Sequence, residues 1–181
     1  MFEFEIDNSL HLSLLEIKDA DELFHLIDRN REHIGEWLKF PSMTVEVADS
    51  RAFIERTRIR YAKDEGYWLG IWSGDHLVGS IGYLYLDQEN KKTEIGYWLG
   101  QEYVGKGIIK RSIKVLIDYA FDELQFNKIE IGAATDHAKS RAIPEKLGFT
   151  LEGQIRDYEY INGRFLDRVI YGLKAAEWRA K

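Results

Sequence analysis

The sequence contains no cysteine, which excludes disulfides, thiolate metal sites and cysteine nucleophiles. Its two prolines, Pro41 and Pro144, are isolated, and no linker rich in proline, glycine or serine divides the chain. No apolar run approaches the roughly 18 residues that a membrane span requires, and the acidic N-terminal segment 1–6 is not typical of a signal peptide. We therefore expect one soluble, cytoplasmic domain over residues 1–181, long enough to bury a core of its own.

A surplus of positive charge is also missing. The chain has 25 Lys and Arg against 31 Asp and Glu, a formal net charge of −6. No basic patch alternates with aromatic residues, which argues against specific nucleic-acid binding. The five histidines lack metal-ligand spacing such as H-E-x-x-H, so no metal site is predicted. An acidic surface favours a cationic or amine-bearing partner.

Hydrophobic periodicity predicts a chain of short strands and helices. Residues 10–15 alternate as a first strand, 18–30 carry a helical stripe that Asp19 can cap, and 48–62 form a further helix. Candidates for the buried face of that helix are Ala52, Phe53, Ile59 and Tyr61. Later strands are predicted at 67–72, 77–86, 93–99, 128–134, 149–161 and 164–173, and later helices at 105–124 and 138–147. Asn162-Gly163 is a strong hairpin signal, and Pro144 should bend or confine its helix.

The resulting order, β-α-α-β-β-β-α-β-α-β-β, predicts an α/β (α+β) fold: a mixed sheet with helices on both faces. Residues 94–134 form a β-α-β unit, so its two strands should run parallel. Open sheets of this kind bind ligands at the carboxyl ends of such strands. We therefore expect the site near residue 100.

A glycine loop lies at that position, with the sequence Gly-Gln-Glu-Tyr-Val-Gly-Lys-Gly over residues 100–107. Gly105 and Gly107 can turn several backbone N–H groups toward one point, and the following helix N-terminus adds its own unpaired N–H groups and dipole. This arrangement is typical of a phosphate site. A nucleotide-triphosphate loop needs Ser or Thr at the position of Gly107, and a dinucleotide fingerprint needs a third glycine at the position of Lys110. Neither nucleotide-binding motif therefore fits. A plain strand-to-helix turn remains the alternative at this stage.

Five segments together resemble the GNAT acetyltransferase superfamily, and more narrowly its RimJ/RimL branch of ribosomal-protein N-terminal acetyltransferases. They are Asn-Arg-Glu-His-Ile-Gly-Glu-Trp at 30–37, Thr-Glu-Ile-Gly-Tyr-Trp-Leu at 93–99, Tyr-Val-Gly-Lys-Gly-Ile-Ile at 103–109, Ser-Arg-Ala-Ile-Pro-Glu-Lys-Leu-Gly-Phe at 140–149, and Glu-Gly-Gln-Ile-Arg-Asp-Tyr-Glu-Tyr-Ile-Asn-Gly at 152–163. The resemblance implies a mostly antiparallel sheet with a central parallel β-α-β unit. It also implies acetyl transfer from acetyl-CoA to a primary amine, without a metal.

The acceptor that the resemblance implies is the N-terminal amine of a ribosomal or other protein. Two alternatives stay open: a small amine such as a polyamine or aminoglycoside, and an acyl-CoA-binding regulator without turnover. RimL-like enzymes also suggest a homodimer.

The resemblance assigns the coenzyme site. In this family the glycine loop holds the pyrophosphate of acetyl-CoA through backbone amides, and the pantetheine arm pairs with the preceding strand, where one N–H polarises the thioester carbonyl. The implied contacts are Trp98, Leu99, Val104, Gly105, Lys106, Gly107, Ile108, Ile109, His137 and Ser140. Val104 stands where the family usually has Gln or Arg, and His137 where it often has Asn. The side-chain contribution at position 104 is therefore lost.

The proton donor departs from the family pattern. Pro144 occupies the position at which many GNAT enzymes carry a tyrosine that protonates the departing thiolate, and proline has no proton to donate. The role must therefore pass to another group or to water. Ser140, four residues earlier, resembles a serine given this role in the RimL type, and it also fits a plain helix N-cap.

A carboxylate must take the ammonium proton, directly or through water. Glu159 matches the RimL-type catalytic glutamate and Glu94 the strand glutamate used elsewhere in the superfamily, and we favour Glu159. Candidates for the acceptor site are His33, Trp37 and Tyr158, although aromatic residues such as the last two belong to a core more often than to the wall of a substrate site.

Overall fold

A computed structural model describes residues 2–180, so the two terminal residues of the predicted domain lie outside the described part. One eight-stranded sheet runs through it in the order β1-β2-β3-β4-β5-β6-β8-β7. The strands are β1 (Glu3–Asp7), β2 (Leu10–Leu14), β3 (Tyr67–Ser73), β4 (His76–Asp87), β5 (Lys92–Leu99), β6 (Lys128–Ala134), β7 (Thr150–Ile161) and β8 (Arg164–Lys174). Only β5 and β6 pair in parallel within it. The predicted mixed, mostly antiparallel sheet is confirmed.

Helices cover both faces of the sheet, as predicted. They are α1 (Ala20–Arg29), α2 (Arg31–Gly35), α3 (Val47–Ala62), α4 (Ile108–Asp118), α5 (Ala138–Leu147) and α6 (Ala175–Arg179). The first three pack against a smaller apolar cluster that includes Leu77 and Trp98. Helices α4 and α5 close the main core on the opposite face, around Ile113 and Tyr171. Within residues 2–180, no helix combines the length and apolar character that crossing a membrane requires.

Two short terminal elements escaped the sequence prediction. Strand β1 has only five residues, its glutamates are exposed and its apolar side chains are half-buried, so its alternation is weak. Its Phe4 ring nevertheless packs 5.1 Å from the Tyr119 ring. Helix α6 is a single short turn after β8.

Three local predictions were wrong. Asp19 does not cap α1 with its side chain; its carboxylate accepts from the Glu16 N–H at 2.8 Å in the preceding 3₁₀ turn. Ile59 is 55% exposed, because the buried stripe of α3 runs instead through Ser50, Ile54 and Thr57. The helix predicted at 105–124 begins later, at Ile108, and its last part is the π-helical turn Tyr119–Glu123.

The second hairpin follows its sequence signal. Asn162 and Gly163 have φ values of +52° and +77°, the pair of positive values that a two-residue hairpin turn needs. The Asn162 side chain also donates to the Gly35 carbonyl at 2.9 Å, which ties the hairpin tip to α2. The hairpin therefore reaches across the molecule to the helical segment near residue 35.

Strands β5 and β6 pair only at their beginnings. Their register runs from Lys92 opposite Lys128 to Glu94 opposite Glu130 and then stops. Strand β5 continues to Leu99 paired with β4, and β6 continues to Ala134 paired with β8. The sheet is therefore split between these strands at their carboxyl ends, the place at which the sequence predicted a ligand.

Candidate active site

The glycine loop follows directly from the end of β5 at this split. Gly105 and Gly107 have φ values of +83° and +70°, in the left-handed region that favours glycine. Gly107 is the residue that precedes α4, and the adjacent Ile108 and Ile109 are buried in the main core. Because those two side chains point into the core, the loop can offer a ligand their backbone N–H groups but not their side chains.

Hydrogen bonds fix the beginning of the loop. The Gly100 N–H donates to the Val78 carbonyl at 2.8 Å, and the Gln101 N–H donates to the side-chain oxygen of buried Asn30 at 2.9 Å. The glycine part, in contrast, is exposed. The first N–H groups of a helix have no acceptor within the helix, so the start of α4 presents unpaired donors next to an exposed loop. This geometry suits an anion.

The other loop side chains include one apolar and one charged group. Val104 is half-buried and packs against the main core, so it occupies its position as an apolar anchor. The Lys106 ammonium lies 5.3 Å from the centre of the Tyr103 ring. Lys106 is exposed and remains near the loop as a source of positive charge.

Backbone groups of β5 line the split. Successive residues of a strand point their N–H and C=O groups to opposite edges. Since the Gly100 N–H bonds toward β4, the backbone groups of Leu99 point toward the β6 side. The Trp98 side chain is part of the smaller apolar cluster, and the centre of its ring lies 5.5 Å from that of the Phe40 ring. Leu99 therefore offers this edge its backbone groups, whereas the backbone groups of Trp98 point toward β4 by the same alternation, so the predicted contact of Trp98 with the coenzyme cannot come from them.

Ser140 lies within α5 and contacts a strand residue that the sequence interpretation missed. The Tyr97 hydroxyl is 3.2 Å from the Ser140 carbonyl oxygen and 3.3 Å from Ser140 Oγ. The residue preceding α5 is His137, so the plain N-cap interpretation of Ser140 was wrong. Burial raises the pKa of Tyr97 to about 12, so its hydroxyl keeps its proton at neutral pH.

Glu94 lies on the opposite face of the sheet, in an ion pair with Arg168. Both side chains are only 18% exposed, and the Arg168 guanidinium also lies 4.7 Å from the centre of the Tyr158 ring. Burial raises the pKa of Glu94, the nearby Glu130 carboxylate adds to this effect, and Arg168 opposes it. Arg168 thus joins two predicted site residues, Glu94 and Tyr158.

Glu159 is exposed on β7 opposite Leu166, just after an irregular stretch in which Asp157 has a φ of +49°. Leu166 and Arg168 are two residues apart on β8, so they share one face of the sheet. Glu159 therefore lies on the same face as Glu94. The two candidate bases occupy one face, and Ser140 with Tyr97 occupies the other.

A stack of three side chains joins three separate segments. The Trp37 ring lies parallel to the His137 ring, with centres 4.4 Å apart and an interplanar angle of 7°. The Arg164 guanidinium lies 5.3 Å from the Trp37 ring. Burial is the main cause that lowers the pKa of His137, and the nearby His33 contributes to it. A predicted acceptor residue, Trp37, and a predicted coenzyme residue, His137, thus form one contact.

The sequence interpretation missed the two arginines and Tyr97. Arg164 and Arg168 belong to an ordinary alternating strand, and nothing local marks their partners, which are distant in the chain. Tyr97 lies inside the recognised segment 93–99, where its alternation with Trp98 placed it on the α5 face. Across residues 2–180, no cluster of His, Asp and Glu is arranged to hold a metal ion.

Comparison with known proteins identifies the architecture. The model of the acetyltransferase (GNAT) domain family matches residues 9–150. A protein of Bacillus subtilis (strain 168) named "Putative ribosomal N-acetyltransferase YdaF" is 41% identical over 182 residues, covering 100% of both chains. The ribosomal-protein-serine acetyltransferase of Escherichia coli (strain K12) is 25% identical over 92% of this chain and 93% of its own.

A solved structure agrees with these matches. The Microcin C7 self immunity acetyltransferase MccE, determined in complex with acetyl-CoA and AMP, superposes with a TM-score of 0.90 at 31% identity. The match covers 93% of this chain and 94% of that one. The fold is therefore the one on which that enzyme binds acetyl-CoA.

The stack of Trp37 on His137 leads to a prediction about titration. Replacing Trp37 with Leu removes the ring that covers His137, so the histidine pKa should rise toward its ordinary value. The midpoint can be followed by NMR of the His137 ring protons, assigned with His137→Gln. Trp178→Leu, a change at another half-buried tryptophan, is the control and should leave the midpoint in place. An unchanged midpoint in Trp37→Leu would show that other groups bury the imidazole.

Proposed function

This chain belongs to the GNAT acetyltransferase family and is an N-acetyltransferase, and we propose that its acceptor is the N-terminal amine of a protein, with ribosomal proteins as the acceptor class. The main observation that supports acetyl-CoA binding at this position is the split between β5 and β6, with the glycine loop at its end. The names of the two ribosomal relatives support the acceptor class. We further propose that residues 1–181 form one catalytic domain. The homodimer stays a prediction.

The described residues fit acetyl-CoA. Backbone N–H groups from Gly105 to Ile109 suit the pyrophosphate, since Gly105 and Gly107 hold the left-handed conformations and the start of α4 supplies unpaired donors. The edge of β5 at Leu99 suits the pantetheine amides, which would pair as an added strand. An N–H on that edge would polarise the thioester carbonyl.

The proposed reaction is a direct attack. The neutral amine nitrogen forms a bond to the thioester carbon, and the C–S bond then breaks without a covalent enzyme intermediate. The attacking nitrogen gives up its proton to a carboxylate, which later releases it to solvent. The departing thiolate takes the proton of the Ser140 hydroxyl, whose oxygen regains a proton from solvent. The products are the N-acetylated acceptor and coenzyme A.

Glu159 is the base we propose. It is exposed, whereas Glu94 would first have to leave its buried ion pair with Arg168. The raised pKa of Glu94 is the observation that keeps it as the second candidate, because a base works best when its pKa approaches the working pH.

Matched acceptors test the proposed acceptor class. We expect thiol release from acetyl-CoA with a serine-initiated peptide whose α-amine is free and whose lysines are acetylated. The same peptide with a blocked α-amine and free lysines should give background rates. Spermidine serves as the small-amine comparison. A rate with spermidine far above that with the α-amine peptide would move the function to small amines.

Two substitutions at one position test the phosphate cradle. Gly107→Asp and Gly107→Asn place side chains of nearly equal shape at φ +70°, a conformation that Asn and Asp tolerate better than other residues. Only Asp adds a charge that repels the pyrophosphate. Titration calorimetry should therefore show coenzyme A binding at least about tenfold weaker for Asp than for Asn, a difference of roughly 1.4 kcal/mol. Equal affinities for the two variants would remove the assignment.

The choice of base has its own test. Glu159→Gln should lower turnover by roughly 10²–10⁴-fold while coenzyme affinity stays within a few-fold. It should also flatten the acidic limb of the pH–rate profile, because that limb reports protonation of the base. Glu94→Gln is the matched variant on the same sheet face. If it alone behaves in this way, the base is Glu94 and our preference for Glu159 is wrong.

A further inference from the structure

Pro144 has a structural effect on Ser140 that is separate from the missing tyrosine. In a helix the N–H of residue 144 would bond to the carbonyl of residue 140, and proline has no N–H. Pro144 nevertheless lies inside α5, so the Ser140 carbonyl has lost its usual helical partner. The Tyr97 hydroxyl donates to that carbonyl at 3.2 Å.

The same hydroxyl lies 3.3 Å from Ser140 Oγ, and either oxygen can be the donor. One phenol therefore contacts both the backbone and the side chain of Ser140. It does so from the part of β5 that no longer pairs with β6, so the contact spans from one side of the split to the helix that packs on β6.

We propose that Tyr97 is a positioning residue that orients the Ser140 hydroxyl toward the sulfur of the departing thiolate. The inference rests on the proposed function, in which Ser140 supplies the proton. A serine hydroxyl carries one proton and rotates freely about its Cβ–Oγ bond. While the single phenol proton is donated to the Ser140 carbonyl, the phenol oxygen can accept from the Ser140 hydroxyl, and this contact restricts that rotation until the serine proton moves to sulfur.

The phenol is suited to this task because it stays protonated. Its half-buried position raises the pKa of Tyr97 to about 12, so the hydroxyl remains a donor at any pH near neutrality. As the serine proton moves to sulfur, the phenol can turn its single proton from the Ser140 carbonyl to Ser140 Oγ, which stabilises the charge that develops on the serine oxygen. The chain thus holds a tyrosine hydroxyl beside Ser140, one helical turn before the position where Pro144 excludes one.

Removing the hydroxyl alone tests the idea. Tyr97→Phe keeps the ring and should lower kcat by about tenfold or more. This is part of the roughly 10²–10⁴-fold rate enhancement that positioned proton transfer usually contributes. The KM for acetyl-CoA should stay within a few-fold. Tyr83→Phe is the matched control, because it removes a strand hydroxyl that also donates to a helical backbone carbonyl, that of Leu116 in α4. The control should leave kcat unchanged.

A double-mutant cycle separates positioning from general damage. If Tyr97 acts through Ser140, the variant that combines Tyr97→Phe with Ser140→Ala should be no slower than Ser140→Ala alone. Effects on kcat that multiply would overturn the proposal. So would an unchanged kcat in Tyr97→Phe or in Ser140→Ala.

Tyr97→Phe made together with Pro144→Ala separates the contact of the phenol with the Ser140 carbonyl from its contact with Ser140 Oγ. Pro144→Ala gives residue 144 an N–H for the Ser140 carbonyl, so the loss of melting temperature caused by Tyr97→Phe should shrink in that background. The loss of kcat should remain. If Pro144→Ala restores turnover to Tyr97→Phe, the phenol serves only the carbonyl and the proposal fails.

Any amine that the unmodified protein acetylates can be the acceptor in these experiments, since every acceptor leaves the same thiolate. If the proposed acceptor class is wrong, the rates of the unmodified protein with different acceptors will show it, and the double-mutant cycle of Tyr97 and Ser140 will keep its meaning.

Discussion

The active site depends on the place where two parallel strands stop pairing. After Glu94 and Glu130, β5 and β6 each keep one neighbour and lose the other, which leaves a row of backbone donors and acceptors on both sides of the split. Such groups are costly when they are neither bonded nor hydrated. A ligand that pairs like a strand satisfies them, and the glycine loop at the end of β5 can hold the negatively charged end of that ligand.

The sheet also separates the residues to which we assign the two proposed proton transfers. Tyr97 and Ser140 lie on the face covered by α5, whereas Glu94, Arg168 and Glu159 lie on the other. In the proposed reaction each would therefore act from its own face of the sheet, the serine hydroxyl on the sulfur and the carboxylate on the nitrogen.

Local sequence patterns were sufficient to predict most helices and strands. Contacts between residues that are far apart in the sequence could not be predicted in this way. Strand β6 and helix α5 have the predicted bounds, and Gly105 and Gly107 have the positive φ values that the loop required. Strand β1 was missed because its apolar side chains are only half-buried. The pairing of Arg168 with Glu94 spans 74 residues, and neither residue carries a local signal of the other. Sequence could name the candidate glutamates but not the ion pair that distinguishes them.

Pro144 illustrates how one residue can change both chemistry and structure. Read from sequence, it removes a proton donor. In the fold it also leaves the Ser140 carbonyl without its helical partner, and a hydroxyl from the neighbouring strand takes that place. The two consequences meet at Ser140, which in the proposed mechanism replaces the missing donor and needs a defined orientation to do so. A proline at this position and a tyrosine at position 97 therefore form one arrangement, because the orphaned carbonyl gives the phenol a fixed anchor beside the serine hydroxyl.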